Sequence, residues 1–393
     1  MDAIFKPEPS PGPHQKLARY RQLSPRSSVH VSPLCLGGMS IGDQWSAGFG
    51  SMDKQSSFKL LDTYYDAGGN WIDTANNYQE GSSEEFIGEW MEQRDIRSQM
   101  IIATKVRAQY THTTTDFSWD TTKQKVNFVG NNLKSMRVSL EISLKRLRTD
   151  YIDIFYVHAW DMHTSVEEIM DGLHNLVAAG KVLYLGISNA PAWLVVKAND
   201  YARSTGKTPF VVYQAPYSIL KRDIEREILP MCQHEGIALN LYFVLAAGHI
   251  RTTAEEEKRR ASGEQGRQGF FFGSWERTSS EAAICDGLEK LATEIGVKSI
   301  SALAIAYVLH KAPYMFPIIG GRKVEHLQSN LEALEISLSK AQKEFLDGLQ
   351  PFDKGYPLNV LGDPSGYPRP VKSIATIDTI PVATVITPAR DQL

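Results

Sequence analysis

Four side chains of complementary chemistry stand at separate points of this chain: Asp73, Tyr78, Lys105 and His158. A free phenol, with a pKa of about 10, is a poor proton donor at neutral pH, but an ammonium beside it stabilises the phenolate and makes it a better acid. Lys105 can be that ammonium and Asp73 the carboxylate that keeps it charged and oriented. His158 can donate to a carbonyl oxygen and fix where it sits. Together they form an acid arranged for carbonyl reduction. Each also has an ordinary structural use. Asp73, followed by Thr, suits a cap on the next turn; Tyr78 is one of 16 tyrosines and suits packing; His158 suits a satisfied core position. Lys105, inside "IIATKVRA", is harder to place structurally, because lysine seldom enters an apolar strand without a paired charge. His158, Asp161 and His163 in "HAWDMH" fit no standard ligand spacing, so no metal is expected.

These residues need elements that bring them together. Asp73, Lys105 and His158 lie at the ends of β-rich runs, and eight such runs alternate with helical patterns: 33–39, 70–75, 100–106, 151–159, 182–188, 210–218, 237–243 and 315–321. Several are almost continuously apolar, as strands covered on both faces should be. The stretches between them carry apolar residues at i, i+3, i+4 and i+7, and most end in Gly, the preferred residue just past a helix. Eight strand and helix units in about 300 residues match the arithmetic of an α/β fold of the (β/α)8 TIM-barrel type, typically about 250 residues; a doubly wound open sheet is the rival. Barrel strands lie about 4.8 Å apart, so side chains leaving neighbouring C-terminal ends can converge on one hollow.

The barrel is expected over 18–350, with a loose segment 1–17 before it and a partly extended, Pro-rich tail 351–393 after it. Long loops 107–132 and 246–281 leave strand ends on the face where barrels carry their sites. A net charge of −3 argues against nucleic acid as a partner. Three cysteines, an odd number without CxxC spacing, indicate neither a disulfide framework nor a thiolate metal site. The N-terminal stretch has no apolar leader and the chain no run of about 18 apolar residues, so no membrane partner and a cytoplasmic location are expected. The oligomeric state is not readable.

The motifs "WIDTANNYQEGSSEEFIGEW", "IIATKV", "YIDIFYVHAWD" and "GKVLYLGISNAP" resemble the aldo-keto reductases, and within them the fungal aryl-alcohol dehydrogenase and norsolorinic acid reductase group, over roughly residues 18 to 350. The resemblance implies a (β/α)8 barrel and a catalytic tetrad falling on Asp73, Tyr78, Lys105 and His158, with Tyr78 as proton donor. It also implies an extended nicotinamide dinucleotide across the barrel mouth. No G-x-G-x-x-G follows a strand, and "STGKT" at 204–208 lacks the earlier Gly of a P-loop, so a Rossmann domain is not supported. Ser188, Asn189 and Gln214, at strand ends, would hold the carboxamide with Asp73 beside them, and Tyr217 would stack on the nicotinamide ring.

For the adenosine end, Gly321, Arg322 and Lys323 follow the eighth strand and open a helix, a suitable place for an anion. The two cations favour the 2′-phosphate of NADP(H) over NAD(H). Gln328 and Asn330 would touch adenine. The turn after the seventh strand, with Phe243, Val244, Leu245, Ala247, His249 and Arg251, would meet the pyrophosphate. Relatives of this group usually carry a Gly-rich turn followed by Lys there; here Phe243, Ala246 and Ala247 replace glycines and His249 the lysine. Contacts through backbone amides survive such replacements unless a position needs positive φ.

Trp45, Trp160 and Trp275 lie in or beside loops of the expected active face, with "GFFFGSW" in the second insertion. Aromatic walls suit a flat, apolar small-molecule carbonyl compound such as an aryl aldehyde or polyketide ketone, bound also by Tyr78 and His158. The leading expectation is therefore an NADPH-dependent carbonyl reductase of secondary metabolism. Two alternatives stand beside it: a cofactor-sensing regulatory subunit, as barrels resembling potassium-channel β subunits imply, and a non-redox, dehydratase-type barrel.

Overall fold

The computed structural model describes residues 12, 14–46, 50–106, 123–124, 126–263, 274–362 and 385–386. An antiparallel hairpin, β1 (Arg21–Ser24) and β2 (Ser27–Val31), precedes the barrel strands. These are β3 (Cys35–Gly37), β4 (Trp71–Asp73), β5 (Ile101–Val106), β6 (Ile152–Val157), β7 (Val182–Ser188), β8 (Phe210–Pro216), β9 (Ala238–Tyr242) and β10 (Met315–Ile319). All eight pair in parallel in chain order, and β10 joins both β9 and β3, which closes the barrel. Each lies within one of the eight runs expected from sequence. The open doubly wound sheet is excluded by that closure.

The crossover helices are α1 (Lys54–Asp66), α2 (Ser82–Arg94), α3 (Leu133–Arg146), α4 (Val166–Ala178), α5 (Ala192–Ser204) and α6 (Ile228–Glu235). The β9 to β10 connection holds α7 (Thr253–Ser262), α8 (Ser279–Glu294) and α9 (Ile300–Leu309), and α10 (Val324–Leu331) and α11 (Lys340–Leu349) follow β10. Local sequence sets their starts: Asn132 and Ser165 accept from backbone N–H groups at the heads of α3 and α4, and full capping boxes open α7, α8 and α11, satisfying donors that a helix start otherwise leaves bare. The second insertion is thus partly helical. Its "GFFFG" stretch lies outside the described residues, as does most of the first insertion, of residues 1–17 and of the tail.

Two layers pack the core. Between strands and helices runs a continuous apolar shell including Leu36, Ile72, Ile102, Phe155, Ile187 and Leu241. Inside the barrel a smaller cluster holds Cys35, Trp71, Ala103, Ile154, Tyr156, Val212 and Phe316, together with Leu23 and Val31 of the hairpin. Gly186 is required by this interior: a Cβ there would lie 2.4 Å from the Tyr156 ring, far inside contact distance. That ring in turn floors the space where Asp73 and Lys105 meet.

Candidate active site

Strand alternation decides which side chains face inward. Trp71 and Asp73, Ala103 and Lys105, Ile154 and Tyr156 are pairs two apart, and the upper member of each points into the hollow near the C-terminal ends. Lys105 is fully buried, and its Nζ donates to Asp73 Oδ2 at 2.7 Å and to the Thr74 carbonyl at 2.6 Å. Gln214 Nε2 donates to the other oxygen, Asp73 Oδ1, at 2.8 Å. Burial alone would push the Lys105 ammonium down; the Asp73 carboxylate and a hydrogen bond to the Tyr78 phenol outweigh it and hold Lys105 above the ordinary lysine value. The Lys105 Nζ lies 4.9 Å from the centre of the Tyr78 ring. The Tyr78 and His158 rings meet edge to face at 6.2 Å. All four residues of the expected tetrad therefore share one hollow, with Tyr78 and His158 half-buried and the charged pair beneath them.

The segment carrying Tyr78 is held from behind. Arg146 of α3 donates to the Asn76 carbonyl at 2.9 Å, and its guanidinium fills the space where a Cβ on Gly81 would sit, 2.4 Å away. Gly81 takes φ +99, so glycine is needed there on both counts. Glu84, fully buried, accepts from Thr104 at 2.6 Å and faces Arg146 at 3.7 Å. Sequence reading passed over this buried pair because nothing local marks a charge that packs beneath a loop.

The residues expected to hold the nicotinamide are bonded to one another. Asn189, at φ +50, donates to the His158 carbonyl at 3.0 Å and to Ser188 Oγ at 2.9 Å, and accepts from Tyr242 Oη at 3.1 Å. Tyr217 does not fit the stacking role expected of it. It is fully buried, its hydroxyl donates to Glu225 at 2.8 Å, and its ring stacks on Tyr307 of α9. Tyr242, whose hydroxyl donates to Asn189, puts an aromatic ring on the inward side that sequence reading missed. The signal was strand parity: Gln214 faces inward, so position 217 faces out, whereas Asn240, bonded to Tyr156 inside the barrel, puts 242 on the inward side.

The turn after β9 keeps the backbone of a glycine turn without its glycines. Phe243, Ala246 and Ala247 take φ of +64, +49 and +55, and Gly248 follows at +95. These are the positive-φ positions at which replacement carries strain. His249 and Arg251 are engaged with the insertion. His249 lies 3.1 Å from Glu281 and 3.0 Å from the Ser274 carbonyl. Arg251 donates to Gly248 and Trp275 carbonyls, both at 2.6 Å, pairs with Glu256, and lies under the Trp275 ring. Val244 is buried; Leu245 is half-buried.

At the other end of the mouth, Arg322 and Lys323 are exposed, Gly321 half-buried, and α10 begins without a side-chain cap. Two cations at an uncapped helix start form a donor set that fits a phosphate. The Arg322 guanidinium packs on Gly50, 2.8 Å from where a Cβ would lie. On α10, Gln328 is exposed and Asn330 buried. Among the described residues, Trp45 is the tryptophan whose ring meets Tyr78, edge to face at 6.2 Å. Trp160 is buried with its Nε1 on the Thr164 carbonyl, and Trp275 covers Arg251.

The model of the aldo/keto reductase family matches residues 33–350. The chain is similar to an aryl-alcohol dehydrogenase [NADP(+)] of Phanerodontia chrysosporium, 55% identical over 383 residues, covering 97% of this chain and 99% of the relative. A putative aryl-alcohol dehydrogenase of Saccharomyces cerevisiae is 48% identical, covering 92% and 94%. Norsolorinic acid reductase A of Aspergillus parasiticus is 47% identical, covering 90% and 86%.

Proposed function

The chain belongs to the aldo/keto reductase family, and from that premise we propose that it catalyses the reversible reduction of an aromatic or polyketide aldehyde or ketone to the alcohol, with Tyr78 as the proton donor. It is an NADP(H)-dependent oxidoreductase, as the printed name of its 55% identical relative supports. The reductases and dehydrogenases among its relatives support a place in secondary metabolism. No described helix is long and apolar enough to cross a membrane. A cytoplasmic setting and a small-molecule substrate belong to the same proposal.

The observation that carries the mechanism is the buried Lys105, with two of its protons committed to Asp73 and Thr74 and its Nζ 4.9 Å from the centre of the Tyr78 ring. An ammonium so placed favours the phenolate and lets Tyr78 Oη release its proton to a carbonyl oxygen in the hollow. Asp73 keeps Lys105 charged, and Gln214 keeps Asp73 oriented. His158, facing Tyr78, donates to the same carbonyl oxygen and fixes its position. Bound NADPH supplies the hydride. Arg322, Lys323 and the start of α10 would hold its 2′-phosphate, Tyr242 would offer a ring to the nicotinamide, and Ser188, Asn189 and Gln214 would hold the carboxamide. Trp45 walls the substrate space. The experiment is a spectrophotometric screen of aryl aldehydes, aryl ketones and aliphatic aldehydes for NADPH oxidation. Aryl aldehydes should be consumed, faster with NADPH than with NADH; no oxidation across the panel refutes the reading.

A further inference from the structure

The two residues directly after Tyr78 have no part in the mechanism above, yet both are held in backbone that L-residues avoid. Gln79 takes φ +51 and Glu80 φ +58, just before Gly81 at +99. At Gly81 the turn uses glycine, for conformation and for the space that Arg146 fills. At 79 and 80 it carries strained residues whose side chains do something glycine cannot. Gln79 is fully buried: its Nε2 donates to the carbonyls of Met39 at 2.9 Å and Gly50 at 2.8 Å, and its Oε1 accepts from the Trp45 backbone N–H at 2.8 Å. Glu80 Oε1 accepts from Trp45 Nε1 at 2.6 Å. Trp45 is thus gripped at its backbone and at its indole by consecutive residues, and its ring rests on Tyr78.

We propose that Gln79 and Glu80 are positioning residues that lock the Trp45 indole beside the proton donor as a fixed wall, so that the site selects broad aromatic carbonyl compounds over small aliphatic ones. This rests on the reading of Tyr78 and Trp45 given above. Because wall and donor are tied to one turn, an aromatic ring placed against Trp45 brings its carbonyl to Tyr78, while a small aldehyde gains nothing from the wall.

The test uses 2-naphthaldehyde and propanal as paired substrates. Glu80→Gly removes the acceptor and suits the left-handed backbone, whose relief offsets the lost hydrogen bond and keeps the variant folded. The ratio of kcat/KM for naphthaldehyde over propanal should fall about tenfold, through KM rather than kcat. Glu80→Gln, which keeps an oxygen facing the indole N–H, should restore most of the selectivity. In a Trp45→Ala background, Glu80→Gly should change the ratio no further. An equal loss for both aldehydes, a loss confined to kcat, or a full effect without Trp45 overturns the proposal and leaves the turn a purely structural staple. Calorimetric binding of 2-naphthaldehyde to parent and Glu80→Gly protein decides the wall without turnover: an affinity about tenfold lower supports it and an unchanged one overturns it. A parent enzyme that oxidises no NADPH with either aldehyde refutes the reductase reading, and the binding result still judges the wall.

Discussion

The reacting end of the mouth and the turn at 243–251 are built from opposite materials. At the reacting end, polar side chains leave rigid, fully hydrogen-bonded strands and point at one another: Asp73, Lys105 and Gln214 satisfy each other inside a wall of paired backbone. At the turn, the polar side chains look away. His249 and Arg251 brace the insertion through Glu281, Ser274, Glu256 and Trp275, and the backbone of the turn takes positive φ at Phe243, Ala246 and Ala247. The charged pair and its amide partner sit on strands, where position is fixed closely, while Tyr78 sits on the turn that follows β4 and is braced from behind by Arg146. At the turn after β9 it is the positive-φ backbone that is kept, and side-chain identity matters less there than conformation.

That contrast can be broken most forcefully at Lys105. Lys105→Met strands the Asp73 carboxylate in the interior, so urea denaturation should show a loss of about 3–5 kcal/mol and turnover should fall by about 10²–10⁴-fold. A stable, active variant would mean that the pair is neither buried nor engaged as described. At the phosphate end the effect is smaller and selective. Arg322→Ala should weaken NADPH binding by about tenfold and leave NADH binding nearly unchanged, read by fluorescence titration; equal weakening of both would place the arginine elsewhere on the dinucleotide. Tyr217→Phe should cost about 1–2 kcal/mol of stability by removing the bond to Glu225 with no change in NADPH affinity, and the reverse pattern would return Tyr217 to the mouth. Smallest is Ala247→Gly, which relieves a left-handed alanine and should stabilise by about 1 kcal/mol. A destabilisation of that size would show that the turn does not need its positive φ.

The same contrast explains what could be read in the sequence. All eight barrel strands appeared as β-rich runs, several of them almost continuously apolar, as strands covered on both faces need. Asp73, Lys105 and His158 stood out as polar residues at the ends of such runs. Tyr217, the stacking ring that the resemblance implied, lies three residues past the inward Gln214 and so faces outward, whereas Tyr242 lies two past the inward Asn240. The hairpin Arg21–Ser24 and Ser27–Val31 went unread, since two short strands around Pro25 carry little apolar signal. The ties of Arg251, His249, Gln79 and Glu80 were illegible for a different reason. They join residues distant in sequence, or depend on a left-handed backbone that an Ala or Gln does not announce.

The central claim is that Lys105 and Tyr78 act as one acid. Tyr78→Phe removes a single hydroxyl and leaves the aromatic ring in place. Stopped-flow measurement of NADPH oxidation by this variant, with an aryl aldehyde that the parent enzyme reduces, tests the claim most directly. The account predicts NADPH binding like that of the parent and a hydride-transfer rate lower by about 10²–10⁴-fold. Reduction at the parental rate would contradict it.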